Sequence, residues 1–174
     1  MFTDLIRDAL FTSAWFGLMT VVWLGWAQED PPQRWRPWLG AGSVLGLALS
    51  GGFGYLVSRN WDEPSALEGR YAWFGVLTAV ELIAAGTGCW LLHRRDQQRW
   101  FAWWVALVVS IHFAPLGLLL NDVSLVFVAV CLTVILIGLL PRLRQSTGTT
   151  SAIVGAAMGA VLLILSETAG LLAL

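Results

Sequence analysis

Six long apolar runs are the feature that most limits what this chain can fold into. They cover residues 9–27, 37–58, 71–93, 99–120, 123–140 and 151–174. A helix needs about 20 mostly apolar residues to cross a hydrocarbon core about 30 Å thick. The composition agrees, because 57% of the 174 residues are hydrophobic and 12% are charged, whereas soluble domains carry about 25% charged residues. The sequence therefore predicts an all-α polytopic transmembrane bundle of six helices, forming a single domain over residues 1–174.

Polar segments with turn chemistry separate the runs. Charged residues, with prolines in the first two cases, end the first three runs at residues 28–32, 59–64 and 94–98. Asn121 and Asp122 form a tight turn, which predicts that the fourth and fifth runs make an antiparallel hairpin. Pro141 is followed by a stretch rich in Ser, Thr and Gly. We therefore expect the fifth run to end at residue 140 and a loop to cover residues 141–150.

The arginines predict the orientation of the chain. Cytoplasmic loops of membrane proteins carry an excess of positive charge. Seven arginines lie on the side of the first, third and fifth loops and three on the other side, the seven being Arg34, Arg36, Arg94, Arg95, Arg99, Arg142 and Arg144. This count predicts a multi-pass protein of the cell (inner) membrane with both termini outside. The net charge of −1 gives no basic face and excludes a nucleic-acid partner.

Small residues recur every four positions in three of the runs. They are Ala9, Ser13 and Gly17 in the first run, Gly42, Gly46, Ser50 and Gly54 in the second, and Gly155 and Gly159 in the sixth. Such ladders let helices approach closely in lipid, so they predict packing inside the bundle. The ladder of the first run also fits a face that docks a second copy or another membrane protein.

Most of the eleven tryptophans lie near the ends of the runs. This distribution predicts an aromatic belt at the two boundaries of the lipid bilayer. Trp103 and Trp104 also fit an alternative, an aromatic cage for a cationic or flat ligand.

Three titratable residues lie inside the runs: Glu81, His112 and Glu167. A charge at the centre of a membrane costs about 2.5–3.5 kcal/mol on insertion scales, so such residues usually face a bundle interior and mark function. Glu81 and His112 lie ten and eight residues from the outer ends of their runs, and Glu167 lies six residues from Ala173, or about 15, 12 and 9 Å at helical rise. All three are therefore expected in the outer half of the bundle, at similar height.

Glu81 and His112 are expected to be neighbours, because a short loop joins the third and fourth runs. Such a pair suits a proton relay, and its alternative role is a hydrogen-bonded contact that fixes helix packing. Thr78 lies one turn from Glu81 on the same helical face. Pro115 leaves the carbonyl of Ile111 without its usual donor three residues beyond His112, which adds a candidate polar group or a structural bend.

Part of this region resembles a known group of proteins. The stretch 71–116 contains Trp73-Phe74-Gly75, the intramembrane Glu81, and His112-Phe113-Ala114-Pro115-Leu116. In these positions it resembles a family of small bacterial six-helix membrane proteins of uncharacterised activity. The resemblance implies no particular reaction. It implies that Glu81, His112, Phe113 and Pro115 belong together.

The candidate residues leave three classes of function open. The first is binding or transport of a small solute or a proton by Glu81 and His112, with Glu167 as a further candidate. The second is an intramembrane enzyme that uses the pair as acid and base, with Ser110 or Thr78 nearby as nucleophile. The third is a structural or partner-binding subunit. We expect no cofactor and no metal, because no ligand spacing occurs and His93, the second histidine, lies about 20 Å from His112 along the bundle.

Overall fold

The computed structural model describes residues 5–174, which form six long helices and no strand. The helices are α1 (Ile6–Trp26), α2 (Arg36–Arg59), α3 (Tyr71–His93), α4 (Phe101–Leu119), α5 (Val123–Gln145) and α6 (Ser151–Ala173). Each is long and apolar enough to cross a membrane. The predicted all-α six-helix transmembrane bundle is confirmed. The first four residues of the predicted single domain lie outside the described part.

Five of the six predicted runs match their helices within about three residues, and the fifth does not. Helix α5 continues through Pro141 to Gln145, so the predicted break at residue 140 is wrong. A proline in a helix removes one donor, and neighbouring contacts can compensate for it. Beyond the proline, Leu143 is buried, and the guanidinium of Arg99 binds the C-terminal end of the helix, donating to the Leu143 carbonyl at 2.8 Å and to the Ser146 carbonyl at 2.5 Å.

Helices α1 and α6 form the centre of the bundle. Helix α1 packs against α2 and α6, while α6 also contacts α2 and α4. Helix α4 in turn packs against α5 and α3. The core between them is built from aromatic and aliphatic side chains, including Phe16, Phe113, Leu132 and Met158. Phe16 of α1 meets Phe113 of α4 edge to face, with ring centroids 5.6 Å apart.

Glycines bring the backbones of α1, α2 and α6 into contact. A Cβ at Gly17 would lie 2.8 Å from the carbonyl oxygen of Gly46, and a Cβ at Gly155 would lie 2.6 Å from the carbonyl oxygen of Trp23. No side chain fits at these separations. The small-residue ladders of the second and sixth runs therefore serve packing inside the bundle, as the sequence predicts, except at Gly54, where a Cβ would meet nothing within 4 Å.

The small-residue ladder of α1 is inside the bundle. Ser13 and Ser166 each donate a hydroxyl hydrogen bond to the carbonyl of the other, at 2.7 and 2.8 Å. Ser13 is fully buried and Ala9 nearly so, and Gly17 contacts α2. The expectation that this ladder could dock another protein is therefore wrong, because its residues already contact α2 and α6.

The two ends of the bundle are held by different contacts. At the end that carries the loop 60–70 and the C-terminus, which we call the termini end, Asp8 accepts from the Ala66 amide at 2.7 Å. At the same end Arg70 donates to the Leu119 carbonyl at 2.9 Å. At the opposite end, Thr150 donates its amide and its hydroxyl to the Arg99 carbonyl. These contacts join loops from different helix pairs.

Helix α3 is the most peripheral helix. It packs mainly against α4, and Gly88 is its one buried residue. Only 6% of an 18-residue apolar stretch of α3 is buried inside the protein, compared with 44% for α1 and for α6. Helix α3 is therefore held through a single face.

Candidate functional site

Glu81 lies on the face of α3 that packs against α4. The buried and half-buried positions of α3 recur three or four residues apart, and they include Phe74, Thr78, Glu81, Ala85 and Gly88. This spacing marks one side of a helix. The Glu81 side chain retains 20% of its exposure, whereas its neighbours Leu82 and Ile83 are 67% exposed. The carboxylate is thus turned toward protein, as expected for an acid within a membrane span.

His112 of α4 faces Glu81. The Nδ1 atom of His112 lies 3.4 Å from Oε2 of Glu81, and the His112 side chain is only 10% exposed. The distance allows an ion pair when the ring is protonated, but the angle is not that of a hydrogen bond, and Nδ1 has no hydrogen-bond partner among the described residues. The prediction that a carboxylate and an imidazole meet between α3 and α4 agrees with this geometry.

The residues next to His112 face two different sides of α4. The rings of His112 and Phe113 are 6.5 Å apart, but Phe113 is buried in the core against Phe16 of α1. Pro115 lies inside α4 and is exposed, as is Ile111 one turn before it. Of the candidate neighbours, Thr78 is half-buried on the same face as Glu81. Pro115 lies on the outer surface of α4.

Glu167 lies on a different helix, α6, where it is half-buried. Its neighbour Ser166 binds Ser13 of α1. Within residues 5–174, no group of three His, Cys, Asp or Glu side chains is placed to hold a metal ion. Glu167 therefore does not complete a three-ligand set with Glu81 and His112.

Ser110, a candidate nucleophile, faces the core of the bundle. Its hydroxyl donates to the Ala106 carbonyl at 2.7 Å, and its Oγ lies 4.0 Å from the sulfur of Met158 on α6. The side chain is fully buried. Because Ser110 faces α6 and its hydroxyl is already bonded, it is not poised for activation by the pair.

Trp103 and Trp104 act as cross-links between helices. Trp103 donates its indole N–H to the Leu136 carbonyl of α5 at 3.1 Å, and Trp104 donates to the Ala84 carbonyl of α3 at 3.1 Å. The Trp104 ring occupies the space beside Gly88, where a Cβ would overlap it. Sequence reasoning treated both as belt or cage residues and missed this role. The sequence signal for the contact between Trp104 and α3 is Gly88, a small residue on the face of α3 that carries Glu81.

Two cavities lie elsewhere in the protein. One, of about 440 Å³ at the opposite end, is lined by charged and polar residues that include Glu29, Asp30, Arg99 and Thr149. The other, of about 270 Å³, is an apolar groove between α1 and α2. Neither is lined by Glu81 or His112.

No family model, curated protein or solved structure matches the chain. Its function therefore has to be argued from its own residues. A carboxylate beside an imidazole can share or pass a proton, because imidazole gains and loses one near neutral pH. The pair can also bind a small polar solute, since the Glu81 carboxylate accepts hydrogen bonds and the buried His112 Nδ1 has no partner in the described part of the chain.

Proposed function

We propose that the protein binds or transports a small solute or a proton across the cell membrane, with Glu81 and His112 as the groups that carry the proton. The observation that carries this proposal is the 3.4 Å separation of the two side chains inside membrane-spanning helices. Titratable groups are costly in hydrocarbon and are kept there mainly for function. The unbonded Nδ1 of His112 supports a site that exchanges a proton, because a purely structural pair would be expected to complete its hydrogen bond.

The peripheral position of α3 supports transport over a static contact. Helix α3 is held mainly by α4, so a small displacement of one helix would change the access of water to Glu81 and His112. Transporters commonly expose a site to the two sides by moving one helical element against the rest. The arginine distribution supports an orientation with both termini outside. In this orientation the pair lies in the outer half of the membrane.

The intramembrane-enzyme alternative has weaker support. Ser110, one of its two candidate nucleophiles, is buried away from the pair and bonded to its own helix. No observation favours Thr78 as a nucleophile. The partner-subunit alternative loses its best surface, because the α1 ladder is buried.

Proton movement in proteoliposomes tests the proposal. The purified protein is reconstituted with a pH-sensitive dye inside the vesicles, and the internal pH is followed after a pH step with a membrane potential imposed. We expect faster equilibration than in protein-free vesicles, and we expect Glu81→Gln and His112→Gln to remove most of the difference. Glu167→Gln is the matched control, because it removes another intramembrane carboxyl outside the pair.

The outcome that contradicts the proposal is clear. One such result is that wild-type vesicles equilibrate no faster than empty ones, and another is that Glu81→Gln and His112→Gln both retain the wild-type rate. Either result refutes a proton-carrying role for Glu81 and His112. Circular dichroism and size-exclusion chromatography of each variant show whether it is folded before its flux is compared.

A further inference from the structure

The groove between α1 and α2 opens at the surface of the bundle near the termini end. Its α1 side is formed by Phe11, Trp15 and Leu18, and its α2 side by Ser50 and Gly54, with Trp61 closing the top. The rings of Phe11 and Trp15 stack with centroids 6.3 Å apart and an interplanar angle of 7°. Both rings are 48% exposed. The groove therefore has an aromatic wall that no other described helix covers.

A single arginine lies above this groove. Arg7 precedes Phe11 by one turn on the same face of α1, and its guanidinium carbon lies 5.3 Å from the centre of the Trp61 ring. It donates to the Trp61 carbonyl at 2.6 Å and to the Tyr71 hydroxyl at 3.1 Å. Both partners are neutral, and among residues 5–174 no carboxylate lies within 4.0 Å of this guanidinium. Arginine has five N–H donors, so several remain for an anion.

The groove and the arginine above it together span about one leaflet of a bilayer. From Arg7, above the groove, to Leu18 at its lower end the helix rises about 16 Å at 1.5 Å per residue, and half of a hydrocarbon core is about 15 Å. The volume of about 270 Å³ lies just below that of ligand pockets, which range over about 300–1,000 Å³. A long groove of this volume suits one extended chain better than a compact solute.

We propose that this groove binds one anionic phospholipid, with an acyl chain between α1 and α2 and the phosphate at Arg7. The apolar walls contact the chain from the level of Trp61 down to Leu18. The remaining donors of Arg7 bind the phosphate oxygens, and Trp61 lies at the headgroup level where amphipathic rings are favoured. The site is separate from the Glu81–His112 pair, so this proposal does not depend on the proposed transport.

Two glycines of α2 offer a matched test of the acyl-chain part. A Cβ at Gly54 or at Gly52 meets nothing within 4 Å, so either position accepts a side chain without a clash at Cβ. Gly54 lines the groove and Gly52 does not. We expect Gly54→Leu to fill the groove and Gly52→Leu to leave it open. The two variants make the same chemical change at nearly the same depth.

Two arginines give a matched test of the headgroup part. Arg7→Gln removes the charge over the groove. Arg59→Gln removes a charge at the end of α2, at the same end of the bundle but outside the groove lining. A basic residue at an anionic lipid surface is worth about 1 kcal/mol, or about fivefold in affinity. We expect Arg7→Gln to lose about this preference and Arg59→Gln to keep it.

The measurement is native mass spectrometry of the purified protein in detergent, titrated with phosphatidylglycerol or with phosphatidylcholine of the same acyl chains. The wild type should retain one phosphatidylglycerol about fivefold better than phosphatidylcholine. Gly54→Leu should lower retention of both lipids. Quenching of tryptophan emission by phosphatidylglycerol with brominated chains gives a second readout, because Trp15 and Trp61 line the groove.

Three results would overturn the proposal. One is equal retention of the two lipids by the wild type. Another is equal loss in Gly54→Leu and Gly52→Leu, which would assign the effect to α2 in general. The third is a preference for phosphatidylglycerol that survives in folded Arg7→Gln, since the phosphate would then bind elsewhere.

Discussion

Replacing Gly88 with alanine tests how α3 is held against α4. A methyl group at this position would overlap the indole of Trp104, whose N–H donates to the Ala84 carbonyl at 3.1 Å. The ring would have to move, and the hydrogen bond would be lost with it. Forcing a methyl group into a packed contact costs about 1–3 kcal/mol, and an interhelical hydrogen bond in a membrane is worth about 0.6 kcal/mol.

The matched control is Gly86→Ala on the same helix. A Cβ there meets nothing within 4 Å, and alanine is a better helix former than glycine by about 0.5–1 kcal/mol. We therefore expect Gly88→Ala to have a free energy of unfolding about 2–3 kcal/mol below that of Gly86→Ala. Unfolding of both variants in mixed micelles with increasing sodium dodecyl sulfate, followed by circular dichroism, measures the difference.

A double variant distinguishes the packing of Trp104 against Gly88 from a general effect on α3. If the indole is the obstacle, Gly88→Ala should cost little in a Trp104→Ala background, because the space beside residue 88 is then empty. Equal stability of Gly88→Ala and Gly86→Ala would refute the packing of Trp104 against Gly88. An undiminished cost of Gly88→Ala in the Trp104→Ala background would refute it as well.

The contacts of α1 give two further predictions. Gly17→Ala should destabilise the protein by about 1–3 kcal/mol, because its methyl would meet the Gly46 carbonyl at 2.8 Å. Gly25→Ala is the control and should not destabilise it, because a Cβ there meets nothing within 4 Å. Equal unfolding curves of the two variants would contradict the close approach of α1 and α2. Ser13→Ala should cost about 0.6–1.7 kcal/mol, because it removes the buried hydroxyl that donates to the Ser166 carbonyl, while the bond from Ser166 to the Ser13 backbone carbonyl stays. If Ser13→Ala unfolds like the wild type, the bond donated by Ser13 contributes no net stability.

The helices and the Glu81–His112 contact follow from simple properties of the sequence. Apolar runs of membrane-spanning length predict all six helices. Depth along two helices joined by a short loop predicts that the carboxylate and the imidazole lie at similar height and close together. For Glu167 the same reasoning predicts only a height, and among residues 5–174 its carboxylate forms no ion pair with His112. Sequence gives the height of a residue in the membrane, but it gives neither the neighbours of its helix nor the direction of the side chain.

Other features were out of reach because their signals have more than one meaning. An indole near the end of a span can contact lipid headgroups or a neighbouring helix, and Trp103 and Trp104 take the second role. A proline after an apolar run usually ends a helix, but α5 continues through Pro141 to a C-terminal end where Leu143 is buried and its carbonyl is bonded by Arg99. The peripheral position of α3 has no sequence signal, because apolar residues that face lipid resemble those that face protein.

The strength of the helix contacts differs across the bundle in a way that bears on function. Helices gain little from the hydrophobic effect when they associate in lipid, so close packing and polar contacts hold them together. Helices α1, α2 and α6 have backbone-to-backbone contacts at Gly17 and Gly155. Helix α3 instead contacts α4 through side chains, at the Trp104 ring beside Gly88 and at the hydrogen bond from Arg70 to the Leu119 carbonyl. The titratable pair therefore lies at the contact between α4 and the helix that is least buried in the bundle. Under the proposed function, a change in the charge of Glu81 or His112 acts at this contact.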